Sequence, residues 1–341
     1  MKRLFIPFLS FIALPSAIQA NIDPKVTETC LIAEDFQGCV KSLSGQKEKK
    51  LSNNSDYENA LKFFKEGDSL EAIRLINRFL GLNPDYKEGY ILSALINIFE
   101  LSKFDEAIDD INIALDLDNE YAYPHALKAS VFYFDLGGSF SKSLKYLEKG
   151  IELSPEDPHV NFIAGDIQFD NGYVVLGGDT FDLDKKPKNK KALSLKSFEE
   201  AKKSFEKTLA HINLDTYKNP LAESSYTLDV TYTTTALLGD TKFELYFLYR
   251  DINERSIAKQ YLKEALDHYS SAISMAPSQE YVENLELDRD QDLISPADVY
   301  RARGNVYSWM SNKYQKACRD WKVAKKLGDD EARDNFRNFK C

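Results

Sequence analysis

The feature that most limits how this chain folds is a helical face that recurs six times. Small residues Ala72, Ala107, Ser143, Ala201, Ala265 and Ala317 each stand four positions before a large one: Ile76, Ile111, Leu147, Phe205, Tyr269 and Trp321. Three positions further on come Phe79, Ala114, Gly150, Thr208, Ala272 and Ala324. Steps of four and then three put all three positions on one side of an α-helix. The small residue lets a neighbouring helix approach, and the large one fills the gap toward the next pair. Successive anchors lie 35, 36, 58, 64 and 52 residues apart, so the first three units are regular and the later ones carry extra residues. Such self-similarity marks a stack in which each unit covers the apolar face of its neighbour.

Turn and stop residues complete the unit. Ala60, Gly67, Ala72 and Pro84 fall in order in the first, Ala94, Ala107 and Asp118 in the second, and Ala129, Ser143 and Pro155 in the third. Ala164-Gly165, Leu238-Gly239 and Gly304 with Tyr307 open three more. This pattern resembles the tetratricopeptide repeat, a helix–turn–helix of about 34 residues. The tryptophan which that family carries near the start of its first helix is absent. The resemblance implies an all-α, right-handed solenoid of about six hairpins over residues 55–341, closed by a C-terminal capping helix.

The same resemblance implies a concave groove lined by the first helix of each pair. The family's groove positions fall on Tyr57, Leu61 and Phe64, on Ile91, Leu95, Ile98 and Phe99, and on Ala126, Ser130, Tyr133 and Phe134. Read this way, the groove is apolar and aromatic and suits an apolar peptide or helix. Co-chaperones of this family carry Lys, Asn and Arg there to clamp a terminal carboxylate; those residues are missing. The expected activity is recruitment of a protein or peptide partner without catalysis. The extra residues of the later units are expected as insertions near 171–197, 213–226 and 281–295, either functional loops or disordered tips.

The start of the chain reads as an address. Lys2 and Arg3 precede an apolar run, Leu4 to Leu14, broken by Pro7 and Ser10 and followed by Ala17-Ile18-Gln19-Ala20. That order predicts a secretory leader over residues 1–20, too short in its apolar part to span a bilayer. No later stretch reaches about 18 uncharged apolar residues, so no stable membrane insertion is expected. With 19 Tyr and 21 Phe, the chain has ample material for a large core. The net charge is −10, and loss of Lys2 and Arg3 takes it to −12. A surface of that sign argues against general nucleic-acid binding, which needs Lys and Arg to neutralise phosphates.

The four cysteines are Cys30, Cys39, Cys318 and Cys341, and an even count in an exported chain favours disulfides. A final helix from Asp330 to about Phe339 is expected to run back along the one that holds Cys318. About nine residues down and eleven back return the chain to the same height, which favours a Cys318–Cys341 bond. Such a loop contributes about 3 kcal/mol. By the same argument Cys30 and Cys39 bridge two short helices, Val26–Ala33 and Phe36–Leu43, in a hairpin over residues 21–44, with a linker over 45–54. The segment from Cys30 to Val40 and the ending Ala317-Cys318-Arg319-Asp320-Trp321 are also similar to exported cyanobacterial members of the repeat family. The expected location is the periplasm, a thylakoid lumen or the extracellular space.

Signals for chemistry are few. His125, His159, His211 and His268 lie in different repeats with no metal-ligand spacing, and no phosphate-cradling or nucleophile-elbow motif is found. Asp288-Arg289-Asp290-Gln291-Asp292 opens like a calcium loop, but Leu293 stands where Gly is needed and Val299 where Glu is needed. It reads as a solvated acidic loop. The lysine run 185–191 reads as a solvated loop, or as attraction toward an acidic partner. No cofactor and no metal are expected. The competing readings are an enzyme or small-ligand protein with a site built by the insertions, and a self-associating structural component of the envelope.

Overall fold

Every position of the recurrent face is buried. The structure, a computed structural model, describes residues 54–99, 101–135, 140–177, 189–212, 230–282 and 294–341. The leader, the hairpin with Cys30 and Cys39, and the linker up to residue 53 lie outside the described residues. So do 178–188, 213–229 and 283–293, which hold most of the lysine run and the acidic loop.

Among the described residues there are thirteen α-helices, one π-helical segment and no strand. They pair in chain order: α1 (Asn54–Lys65) with α2 (Ser69–Leu82), α3 (Lys87–Phe99) with α4 (Phe104–Leu117), and α5 (Ala122–Ser130) with α6 (Phe140–Leu153). Then α7 (Pro158–Gly177) pairs with α8 (Lys190–His211), α9 (Val230–Asp251) with α10 (Arg255–Met275), and α11 (Pro296–Ser308) with α12 (Tyr314–Lys326). The last helix, α13 (Asp330–Asn338), packs on α12. The π-helical segment, Val131–Asp135, continues α5.

Local chemistry sets the boundaries. Within four hairpins the residue two positions before the second helix is left-handed: Gly67 (φ 81°), Ser102 (φ 50°), Asn253 (φ 66°) and Asn312 (φ 59°). Glycine adopts this conformation at no steric cost and Asn tolerates it, so the turn chemistry is repeated with the fold. Asp68 caps α2 by accepting from the Glu71 amide, and Ser295 and Asp298 form a reciprocal capping box at α11 with Pro296 in its first turn.

Packing follows a volume rule. In the first three units the large residue of the second helix is aliphatic, and the first helix offers Ala60, Ala94 and Ala129. In the last three it is aromatic, and the first helix offers Gly165, Gly239 and Gly304. A Cβ on Gly165 would stand 2.5 Å from the Phe205 ring, and one on Gly239 2.8 Å from Tyr269. Deeper insertion of a larger ring is thus matched by removal of a methyl, at interior packing density. Each such ring contributes about 2 kcal/mol of burial.

The later units accommodate their extra residues partly as helix. Helices α7 to α10 run 20, 22, 22 and 21 residues, against 12 to 14 for α1 to α4. Of the expected insertion near 171–197, residues 171–177 belong to α7 and 190–197 to α8.

At the C-terminal end the expected bond is present. Cys318 and Cys341 are joined, with Cα atoms 5.4 Å apart. Phe339 packs on Trp321 at 4.8 Å between ring centroids, and Ala332 is fully buried. The cap therefore covers the face that a seventh hairpin would otherwise bury, as solenoid ends require.

Candidate functional site

Where like helices of neighbouring hairpins meet, first helix touches first helix: α1 and α3, α5 and α7, α7 and α9, α9 and α11. Among the described residues the second helices approach one another less, the arrangement of a solenoid whose first helices line the inner face. The inner face is the surface to examine.

The predicted groove residues are mostly absent from it. Phe64, Ile91 and Leu95 are fully buried, and Tyr57, Leu61 and Ile98 nearly so. Phe99 and Tyr133 are partly buried, and Phe134 is 43% exposed. That burial leaves little of the expected apolar groove open at these positions. In the first two units the apolar side chains of the first helices pack into the continuous core, and burial against neighbours is the strongest fate open to them. Tyr57 illustrates it, its ring lying 5.5 Å from Phe79 and 5.2 Å from Tyr86.

Farther along, the inner face changes character. Counted from the packing glycine, the next position holds Asp166 in α7 and Asp240 in α9. The fifth holds Asp170 and Glu244, and the eighth holds Tyr173 and Phe247. Offsets of four and then three place each set on one helix face. Hydrogen bonds tie the faces together. The Tyr133 hydroxyl donates to Asp170 at 2.8 Å, bridging the third and fourth hairpins. The Tyr173 hydroxyl donates to Glu244 at 3.0 Å, bridging the fourth and fifth, and Tyr269 donates to Asp240 at 2.6 Å.

These carboxyls are reached by solvent yet enclosed by protein. Burial raises the pKa of Asp166 to about 7, and the neighbouring Asp170 charge adds to the effect. Burial raises Asp240 to about 7 as well, against the hydrogen bond from Tyr269, with Glu244 adding repulsion. Glu244 is raised by burial, partly offset by the Tyr173 hydrogen bond. Asp166 and Asp240 are thus held short of full ionisation near neutrality, a state that an incoming cation relieves. Among the described residues no three His, Cys, Asp or Glu side chains gather into a metal-holding set.

Aromatic side chains flank the acids. Tyr173 is 41% exposed, its ring packed at 5.3 Å on Phe198. At the far end Trp309, 49% exposed, meets Phe247 edge-on at 5.2 Å, and the Arg250 guanidinium lies 4.9 Å from the indole.

The sequence held a signal for these acids that the groove mapping did not follow. The register that gives Leu61, Leu95 and Ser130 in the first three units continues to Asp166 and Asp240. The one that gives Phe99 and Phe134 continues to Asp170, Glu244 and Trp309. The longer spacings downstream hid that continuity.

Six antiparallel hairpins packed in chain order and closed by a capping helix define a tetratricopeptide-like α-solenoid. Among solved structures, PilW, a type IV pilus biogenesis factor, aligns with a TM-score of 0.46 at 14% identity, over 83% of this chain and 97% of its own. A MamA chain from Desulfovibrio magneticus RS-1 gives 0.39 at 12% identity, over 64% and 96%. A tetratricopeptide repeat protein from Parabacteroides merdae gives 0.36 at 15% identity, over 85% and 99%. No family model matches the chain, and no curated protein matches it. Among the described residues no helix is long and apolar enough to cross a membrane.

Proposed function

We propose that this chain is a non-catalytic scaffold that docks a partner protein on the inner face of its third to sixth hairpins, through a partner segment bearing Lys or Arg side chains. The observation that carries this reading is the register-matched pair of acidic faces, Asp166 with Asp170 and Asp240 with Glu244, joined across helices by Tyr173. Enclosed carboxylates favour cations over neutral or anionic groups. Exposed Phe134, Tyr173 and Trp309 supply the aromatic contact area that anchors interfaces. An exported location is part of the proposal, supported by the leader pattern and by the Cys318–Cys341 bond, since such bonds persist in oxidising compartments.

Selection from a random displayed-peptide library tests the reading. Peptides retained by the wild-type chain are expected to be rich in Lys and Arg, and to be lost with Asp170→Asn plus Glu244→Gln. Binders that are apolar and uncharged, equal recovery by the variant, or no binders at all would overturn it.

A further inference from the structure

An open pocket lies within the third hairpin and shares no residue with the acidic inner face. Its volume is about 460 Å³, and it is lined by His125, Phe132, Lys142, Lys145, Tyr146 and Lys149. That volume is within the usual range for small-molecule sites. The chain as a whole is acidic, with a net charge of −10, yet this lining contains no carboxylate. Lys142, Lys145 and Lys149 occur at steps of three and four on α6, which sets three ammonium groups along one helix face. Lys149 also pairs with Glu152 at 3.3 Å at the exposed rim.

The aromatic part of the wall is held in place. Phe132 stacks on Tyr146 with ring centroids 5.5 Å apart and planes 4° from parallel. Lys128 lies 4.6 Å from the Tyr146 ring centroid and donates to Asn112 at 2.6 Å, which fixes Tyr146 against α4. Phe132 sits in the π-helical segment, a departure from α geometry often found at functional sites. On the remaining side, His125 Nε2 contacts the Asn119 carbonyl at 3.1 Å, while Nδ1 is enclosed without a hydrogen-bond partner among the described residues.

We infer that this pocket binds a small organic anion with a flat, unsaturated body, such as an aromatic carboxylate or phosphate monoester. The aromatic wall takes the body, and the lysines take the charge as ammonium–oxyanion hydrogen bonds.

Fluorescence titration of the full chain with 8-anilino-1-naphthalenesulfonate tests the assignment, beside N-phenyl-1-naphthylamine, which has the same rings without the charge. Saturable binding of the sulfonate is expected. Lys145→Gln plus Lys149→Gln should weaken it about tenfold or more. Asp170→Asn plus Glu244→Gln should leave it unchanged. The neutral amine should bind more weakly and ignore the lysine substitutions. Circular dichroism melts confirm that both double variants fold. Unchanged sulfonate affinity in the lysine variant, equal affinity for the neutral amine, or loss of binding in the inner-face variant would overturn the inference.

Discussion

Gly304 lies so close to Trp321 that a Cβ on it would stand 2.6 Å from the indole Nε1. That nitrogen donates to Asn305 at 3.0 Å, so the ring is held and has little freedom to retreat. Gly304→Ala is expected to destabilise the chain by about 1–3 kcal/mol through overpacking. Trp321→Leu is itself costly, but the double variant should lose less than the sum of the two, because alanine facing an aliphatic residue is what the first three units already use. A double-mutant cycle read by denaturant unfolding checks this, and additive losses would contradict it.

The enclosed acids make stability depend on pH. The folded pKa of Asp166, raised to about 7, exceeds the ordinary aspartate value, so its contribution is fully present in acid and is lost as pH rises through about 7. Asp166→Asn removes that dependence. Relative to its effect near pH 4, the variant should gain on the order of 5 °C in Tm near pH 8. A pH-independent difference between the two proteins would exclude a raised pKa at this site.

Lys242 is 5% exposed and is held by Glu264 at 2.8 Å and Glu206 at 3.2 Å. Removing both partners as Glu206→Gln plus Glu264→Gln leaves an enclosed ammonium unpaired and should cost about 2–3 kcal/mol. This is less than for a fully buried pair, because Glu206 is half exposed. Lys242→Met should cost less than that double variant, since the carboxylates it leaves, Glu206 and Glu264, are 48% and 31% exposed and can be hydrated. Chemical denaturation of the two proteins orders them.

The C-terminal cap should open as a unit. Cys341→Ser is expected to speed amide exchange across α13, at a cost of up to about 3 kcal/mol in overall stability. Amides in α1 to α6 should be unaffected, because hairpins in a solenoid contact mainly their neighbours.

The architecture was legible because the small–large–small face is set by packing within each hairpin. Ala72 with Ile76 and Ala317 with Trp321 carry the same instruction at opposite ends of the chain. The Cys318–Cys341 bond was legible because helix rise converts residue counts into heights. The inner face was not. Leu61 and Leu95 look the same in sequence whether they line a groove or fill a core, and only the packing of neighbouring first helices shows that they are buried. Asp166 and Asp240 were readable from their register after Gly165 and Gly239, yet their enclosure depends on Tyr133, Tyr173 and Tyr269 arriving from other helices.

Calorimetric titration of a Lys- and Arg-bearing peptide, taken from the displayed library, tests the docking proposal most directly. A cation favours the ionised acids, so binding should release protons and strengthen as pH rises through about 7. It should weaken at least about tenfold in Asp170→Asn plus Glu244→Gln. Affinity that ignores both the pH and the substitutions would contradict a docking site on the acidic inner face.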